Sequence, residues 1–316
     1  MLIKLPSPIQ KLNSALYEKH GLEVWMKRDD LIHAEISGNK WRKLKFYIEK
    51  YKAGNFNALL TFGGAFSNHI AATAAAGKIY NIPSIGVIRG EELNASSNAT
   101  LKKASENGMK LIFVSREEYS YKEEKEYQQN LRDKLGSLLI VNEGGFGFDG
   151  MLGCTEILNE VEEEFDFYAV AAGTGTTLAG LAFGLEENDK LMCFPALKGG
   201  EFLKENLYKL FAMAGIPNDE ANERIQSIHW ELDFHFGGYA KYSNELIDFI
   251  NDFFDEHEIV LDHIYNGKLM YGLNKKIERG EFQSGTKILV LHTGGVQGLK
   301  SLSKRLSPEL REVIEG

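Results

Sequence analysis

The sequence predicts an α/β protein of two three-layer domains with mostly parallel sheets. Three observations carry that reading. Short apolar runs alternate with polar, helix-forming stretches, the pattern of parallel strands covered on both faces. The chain has 316 residues, long for one hydrophobic core and short for three. Glycine is abundant, 32 residues against 6 prolines, and glycine pairs fall where apolar runs end. The rest of the composition is that of an ordinary globular chain, 43% hydrophobic and 26% charged. Lysine and arginine number 36 against 45 acidic residues, a net charge of -9 that opposes binding to nucleic acid or an anionic membrane. Cys154 and Cys193 form no C-x-x-C pair and the first six residues lack a secretion-signal pattern, so a reducing cytoplasm is the expected compartment.

Along the chain, residues 58–62 read as a buried strand and 70–78, rich in alanine, as a helix, with Gly63 and Gly64 turning between them. Residues 82–88, 110–114 and 138–141 read as further buried strands, and the charged stretch 119–134 as a helix. Residues 167–172 and 178–185 repeat the strand and helix across Gly173-Thr174-Gly175-Thr176-Thr177, and 287–291 is another strand. The uncharged stretches 54–77 and 167–185 have the length of membrane spans, but their glycine turns divide each into two shorter elements. The acidic run 160–166 reads as a solvated helix end. Gly144, Gly145, Gly147, Gly150 and Gly153 mark a crossing between domains. The expected arrangement is nested: residues 1–53 and 151–316 form a larger domain, and 54–150 a smaller one inserted in it.

Four segments carry candidate chemistry. In Ser37-Gly38-Asn39-Lys40-Trp41-Arg42-Lys43-Leu44-Lys45 the basic cluster would ordinarily be an exposed helix face. Gly38 and Asn39, however, are turn or cap residues that put Lys40 in the first helical turn, where the helix dipole and nearby cations lower its pKa, as a Schiff-base nucleophile requires. In Gly63-Gly64-Ala65-Phe66-Ser67-Asn68-His69, Ser67 and Asn68 stand at a helix start whose N–H groups suit a carboxylate; the plain alternative is a Ser/Asn cap. His69 alone reads as a structural hydrogen-bonder. The loop Gly173, Thr174, Gly175, Thr176, Thr177 offers backbone donors and hydroxyls without bulk, a cradle for one phosphate monoester. It is neither a Walker loop nor a dinucleotide fingerprint. Gly237-Gly238-Tyr239, Tyr265-Asn266-Gly267-Lys268 and His292-Thr293-Gly294-Gly295 each bring a hydroxyl or phenol to the end of an apolar segment. No His/Cys cluster supports a metal site.

Together these segments resemble the fold-type II pyridoxal phosphate enzymes, the tryptophan synthase β-like fold. More narrowly, G-N-K-W-R-K-L at 38–44, G-G-A-F-S-N-H at 63–69, A-G-T-G-T-T at 172–177, D-H-I-Y-N-G-K at 262–268 and L-H-T-G-G at 291–295 resemble the 1-aminocyclopropane-1-carboxylate deaminase and D-cysteine desulfhydrase family. The resemblance implies pyridoxal 5'-phosphate as cofactor, a small amino acid as substrate and a homodimer. It implies that Lys40 holds the cofactor and then shuttles a proton, that Asn68 bonds the 3' oxygen of the ring, and that Ser67 faces the substrate. Gly173, Thr174, Gly175, Thr176 and Thr177 would hold the phosphate with Lys43, and Tyr239 and Tyr265 would border the substrate, Tyr265 being the better catalytic candidate.

Two positions depart from the deaminase pattern. The deaminases carry a glutamate where this chain has Asn266 and a leucine where it has Thr293. A carboxylate beside the ring nitrogen makes the ring a strong electron sink, which opening a cyclopropane requires, whereas a departing thiolate lets β-elimination proceed with a weaker one. Thr293 then becomes the partner of the ring nitrogen. The expected reaction is α,β-elimination, D-cysteine giving pyruvate, ammonia and sulfide. The alternatives are deamination of the cyclopropane amino acid to 2-oxobutanoate and ammonia, and a protein that binds a phosphorylated metabolite without reacting.

Overall fold

The computed structural model describes residues 3–36, 38–186 and 189–315, so Ser37 of the basic segment lies outside the described residues. The strands are β1 (Ile9–Leu12), β2 (Glu23–Lys27), β3 (Ala58–Gly64), β4 (Ser84–Arg89), β5 (Lys110–Val114), β6 (Leu138–Val141), β7 (Phe167–Ala172), β8 (Lys190–Pro195), β9 (His229–Trp230) and β10 (Lys287–Leu291). The chain divides into two compact units: Met1–His33, Ser37–Asn39 and Cys154–Gly316, and Ala34–Ile36 with Lys40–Gly153.

The larger unit holds a six-stranded sheet in the order β1-β2-β10-β7-β8-β9, parallel except where β1 pairs antiparallel with β2. From β7 the chain adds β8 and β9 on one side, and β10 then returns to the other side of β7. That reversal is a topological switch point, where the loops leaving adjacent strands part and open a crevice. The loops after β7 and β10 carry Gly173 to Thr177 and His292 to Gly295. Val24, Met26, Ile288 and Val290 of this sheet pack with Leu269 and Leu273 of the helix Asn266–Glu278 in one core.

The smaller unit holds a four-stranded parallel sheet, β5-β4-β3-β6, which reverses between β3 and β6. Its two faces are covered separately. Leu60, Phe62 and Val87 pack with Tyr119 and Leu131, while Ile88 packs with Ile70, Ala74 and Leu101. Residues of opposite parity point to opposite faces, which explains the near-continuous apolar strands.

Several expectations need correction. The helix expected over 119–134 is two, Arg116–Ser120 and Lys125–Leu135, because Ser115 caps the first and Tyr119 is drawn into the core. Strand 82–88 runs instead as Ser84–Arg89, and strands β1, β2, β8 and β9 were not marked by an apolar run. The acidic run 160–166 is exposed at 162–164 and at Asp166, as expected, but its first residue is not solvated. Glu160 closes a short 3-10 turn, Leu158–Glu160, and its carboxylate accepts from the fully buried Lys27 at 2.6 Å, while Lys27 also donates to Ser7 Oγ at 2.6 Å. The helix Asn39–Ala53, expected in the larger domain, belongs from Lys40 onward to the smaller unit. Trp41 stacks on Tyr80, and Lys50 pairs with Asp149, so its partners lie there. Among the described residues no helix is long and apolar enough to cross a membrane.

Candidate functional site

In the larger unit, β7 ends at Ala172 and the chain passes Gly173, Thr174 and Gly175 into the helix Thr176–Gly184. Gly175 stands at the N-cap with φ 89°, a left-handed conformation that glycine adopts without cost, and no side chain caps the helix. The N-cap residue therefore takes none of the first-turn N–H groups with a side chain, and the dipole favours an anion in front of them. Thr176 and Thr177, expected in the loop, are helical and buried. Thr174 Oγ1 and Thr176 Oγ1 lie 3.2 Å apart, and Asn206 Nδ2 donates to the Thr174 carbonyl at 3.1 Å.

The start of the basic segment is fixed against the same elements. Asn39 Nδ2 donates to Thr177 Oγ1 at 2.8 Å, and Asn39 N donates to the Thr293 carbonyl at 3.3 Å. Gly38 has φ 66°, and a Cβ there would lie 1.9 Å from the Thr293 carbonyl oxygen, so only glycine fits. Asn39 opens the helix Asn39–Ala53 as its first residue, which places Lys40 in the first turn.

Asp262, fully buried, organises the next segment. Its Oδ1 accepts from Ile264 N at 2.9 Å and Tyr265 N at 2.7 Å, and its Oδ2 accepts from Asn266 N at 2.9 Å and Asn266 Nδ2 at 2.6 Å. Asn266 Nδ2 also donates to the Gly294 carbonyl at 2.7 Å, and Asn266 Oδ1 accepts from Thr293 N at 3.0 Å. The Thr293 hydroxyl lies 3.4 Å from the same oxygen. Asn266 thus spends its whole amide tying the Tyr265 turn to the loop after β10. The Tyr265 hydroxyl reaches the phosphate-type loop, since a Cβ on Gly173 would meet it at 3.0 Å. Tyr239, 44% exposed, meets the Tyr265 ring edge to face at 6.2 Å.

In the smaller unit Ser67 is the N-cap of the helix Asn68–Tyr80, its Oγ accepting from Ile70 N at 3.3 Å, and Asn68 is the first helical residue. Lys43 is buried and its ammonium donates to the Gly144 carbonyl at 3.2 Å. Burial first, then the charges of Lys40 and Lys43, hold His69 well below the usual histidine range. Thr61 Oγ1 donates to the Val141 carbonyl at 2.7 Å, so it accepts from His69 Nε2 at 3.0 Å, and the neutral ring keeps an unpartnered lone pair on Nδ1. A cleft of about 670 Å³ opens beside Gly64 and Phe66, lined also by Arg89, Arg116 and Tyr119.

The larger unit brings together Gly173, Thr174, Gly175, Thr176, Thr177, Tyr239, Tyr265 and Thr293; the smaller groups Lys40, Lys43 and His69 by their mutual fields. Sequence reasoning missed Asn39, Asn206 and Asp262. Asn39 and Asp262 carried a signal, Asn39 as a turn or cap residue before Lys40 and Asp262 as the first residue of the D-H-I-Y-N-G-K segment, but neither as a partner in the site.

The residues fit pyridoxal 5'-phosphate: an uncapped helix start with hydroxyls suits its phosphate, and a lysine follows a residue bonded to that helix. The comparisons agree. The chain is 30% identical over 94% of its length, and 78% of the relative's, to an Arabidopsis thaliana protein named bifunctional D-cysteine desulfhydrase/1-aminocyclopropane-1-carboxylate deaminase, mitochondrial. It is 27% identical to a D-cysteine desulfhydrase of Serratia proteamaculans over 94% of both chains. A crystal structure described as that of the ACC deaminase homologue superposes with a TM-score of 0.79 at 29% identity, covering 97% of this chain and 95% of the other. The profile of the pyridoxal-phosphate dependent enzymes matches residues 2–294, and the chain belongs to that family, with the fold-type II architecture and the cofactor that define it.

Proposed function

We propose that this enzyme catalyses α,β-elimination on a small amino acid, with D-cysteine giving pyruvate, ammonia and sulfide. The observation that carries this reading is the amide at position 266. Asn266 directs both N–H bonds to Asp262 and Gly294 and its oxygen to Thr293, so this position supplies no carboxylate. A glutamate there would face the Asp262 carboxylate and lose both donors, which works against the deaminase arrangement.

Bound pyridoxal phosphate supplies the electron-withdrawing ring that makes the substrate Cα–H bond acidic. Lys40 would hold the cofactor covalently and, freed once substrate binds, its amine would take the Cα proton. The Cβ–S bond then breaks with its electron pair leaving on sulfur, which departs as sulfide. The enamine left behind is released and hydrolysed to pyruvate and ammonia. Gly173 to Thr177 would hold the phosphate, Lys43 would lend it charge, Asn68 would hold the ring oxygen, and Ser67 and the dipole of its helix would hold the substrate carboxylate. Tyr265 and Tyr239 would border the substrate, and the Tyr265 phenol would pass a proton to the leaving sulfur.

The test is a sulfide and 2-oxoacid assay on the purified holoenzyme. Sulfide and pyruvate from D-cysteine are expected; 2-oxobutanoate from the cyclopropane amino acid, with no sulfide from D-cysteine, would overturn the reading in favour of deamination. Lys40→Ala should abolish turnover and the visible absorbance of the lysine-bound cofactor. Retained phosphate-ligand binding in a colourless wild-type protein would point instead to a non-catalytic binder.

A further inference from the structure

Lys268 lies three residues beyond Tyr265 in the helix Asn266–Glu278 and is among the largest side chains the fold buries completely. Among the described residues its ammonium pairs with no carboxylate. It donates instead to three main-chain carbonyls, Gly238 at 2.8 Å, His235 at 2.9 Å and Ala196 at 3.3 Å. An ammonium has three N–H donors, and all three are used. The acceptors come from two separate segments. Ala196 directly follows β8, and His235 and Gly238 sit in the loop that carries Tyr239.

That loop does not hold itself in place at low energy. Phe236 and Ala240, which are not glycines, have φ of 53° and 55°, and Gly237 and Gly238 between them have φ of 91° and 121°. Left-handed residues with side chains persist where surrounding contacts over-determine them. The loop's own bonds include Gly238 N to the His235 carbonyl at 3.0 Å, Gly237 N to His235 Nδ1 at 2.9 Å, and Lys241 N to the Gly238 carbonyl at 3.1 Å. Burial pulls the Lys268 ammonium down to about 8, against the attraction of Asp262. The carbonyls of the two segments offset that desolvation cost, so the charge and the loop geometry are tied together.

We propose that Lys268 is a positioning residue, a tethered cation that gathers the carbonyls of Ala196, His235 and Gly238 and thereby fixes Tyr239 against the edge of Tyr265. The consequence for substrate binding rests on the proposed function, in which both tyrosines border the substrate. The consequence for the loop does not.

The test uses the holoenzyme carrying Lys268→Ala, which leaves room for a small cation among the same carbonyls. Amides of residues 235–241 should exchange with deuterium about tenfold faster, and the KM for D-cysteine should rise about tenfold while kcat falls by less than about threefold. Ammonium chloride should restore both, and tetramethylammonium chloride at equal ionic strength should not. Unchanged loop exchange, or faster exchange that ammonium leaves untouched, would overturn the proposal. Should the variant fail to fold, the wild-type holoenzyme decides. Exchange in 235–241 relative to β7 should accelerate as pH rises through about 8, where Lys268 loses its third donor. Among the described residues, Asp262 and His263 on the turn before its helix share electrostatic interactions with that ammonium, and His235, Lys198 and Lys241 stand on the loops whose carbonyls it binds or flank them. A constant ratio sinks the proposal. A wild-type enzyme inactive on D-cysteine would count against the elimination reading alone, since loop exchange still reports on Lys268.

Discussion

β3 and β7 each deliver a buried parallel strand through glycines into an apolar helix, yet the two helices begin differently. After β3, Ser67 caps the helix Asn68–Tyr80 with its own hydroxyl, bonded to Ile70 N at 3.3 Å. After β7, Gly175 occupies the cap position and the helix Thr176–Gly184 starts without a side-chain cap. The capped start has satisfied one of its donors internally and offers a hydroxyl that a substrate can share; the uncapped start keeps its N–H groups for a strong anion. The electrostatic settings differ as well. The stretch 167–185 carries no charged residue, whereas the fields of Lys40 and Lys43 act on His69 beside the Ser67 cap. Two loops alike in pattern thus divide the work: the proposed phosphate grip follows the missing cap, and the proposed substrate grip follows the capped helix.

The strongest test of that division compares glycine substitutions in the two loops. At Gly175 a Cβ would approach Leu207 to 3.2 Å and Leu203 to 3.3 Å at φ 89°, so Gly175→Val should weaken cofactor binding about a hundredfold, measured by absorbance titration. Gly64 has open space, its Cβ position meeting only Arg89 Nη2 at 3.6 Å, and Gly64→Ala should leave cofactor affinity within about twofold. Equal losses at both glycines would break the comparison.

A smaller effect should sharpen it. Ser67→Ala removes the cap and should cost about 1 kcal/mol of stability in denaturant unfolding, with a KM rise of about tenfold and the cofactor affinity unchanged. Loss of cofactor along with substrate affinity would mean that the two loops do not act separately.

The smallest effect concerns His69. Its folded-state pKa lies well below its unfolded value, so the unfolded chain binds the extra proton first and stability falls as pH drops below about 6.5. His69→Gln should make unfolding less sensitive to pH between about 7 and 5, leaving the shares of His257 and His263, which are shifted the same way. An unchanged pH dependence would show that the buried imidazole is not held neutral.

Much of this was legible because the signals are local. β5, β6, β7 and β10 run over the residues their apolar patterns mark, and the strand–glycine–helix unit around Gly173 forms where glycines interrupt an uncharged stretch, whereas Gly63 and Gly64 end β3 itself and the turn falls at 65–67. β2 and β8 were less legible. Glu23–Lys27 places charge at both ends of a short run, and Lys190–Pro195 relies on methionine and cysteine rather than β-branched residues, so burial in the sheet decided both. The acidic stretch is solvated at 162–164, the ordinary fate of such a run, and misled only at Glu160, to which the fold alone brings the buried Lys27.

By itself the sequence determined the alternation of strands and helices, the glycines that let loops approach closely, and the side chains able to do covalent and acid–base chemistry. The tertiary structure alone decided which of those groups are spent on the fold and which remain for a ligand. Asp262 accepts four hydrogen bonds, Asn266 divides its amide between Asp262 and the loop of Thr293 and Gly294, and Lys268 gathers three carbonyls. The physical reason is that most of these partners are backbone groups. Every residue except proline carries the same N–H and C=O, so no residue pattern announces where they converge, and only the packed chain aims them.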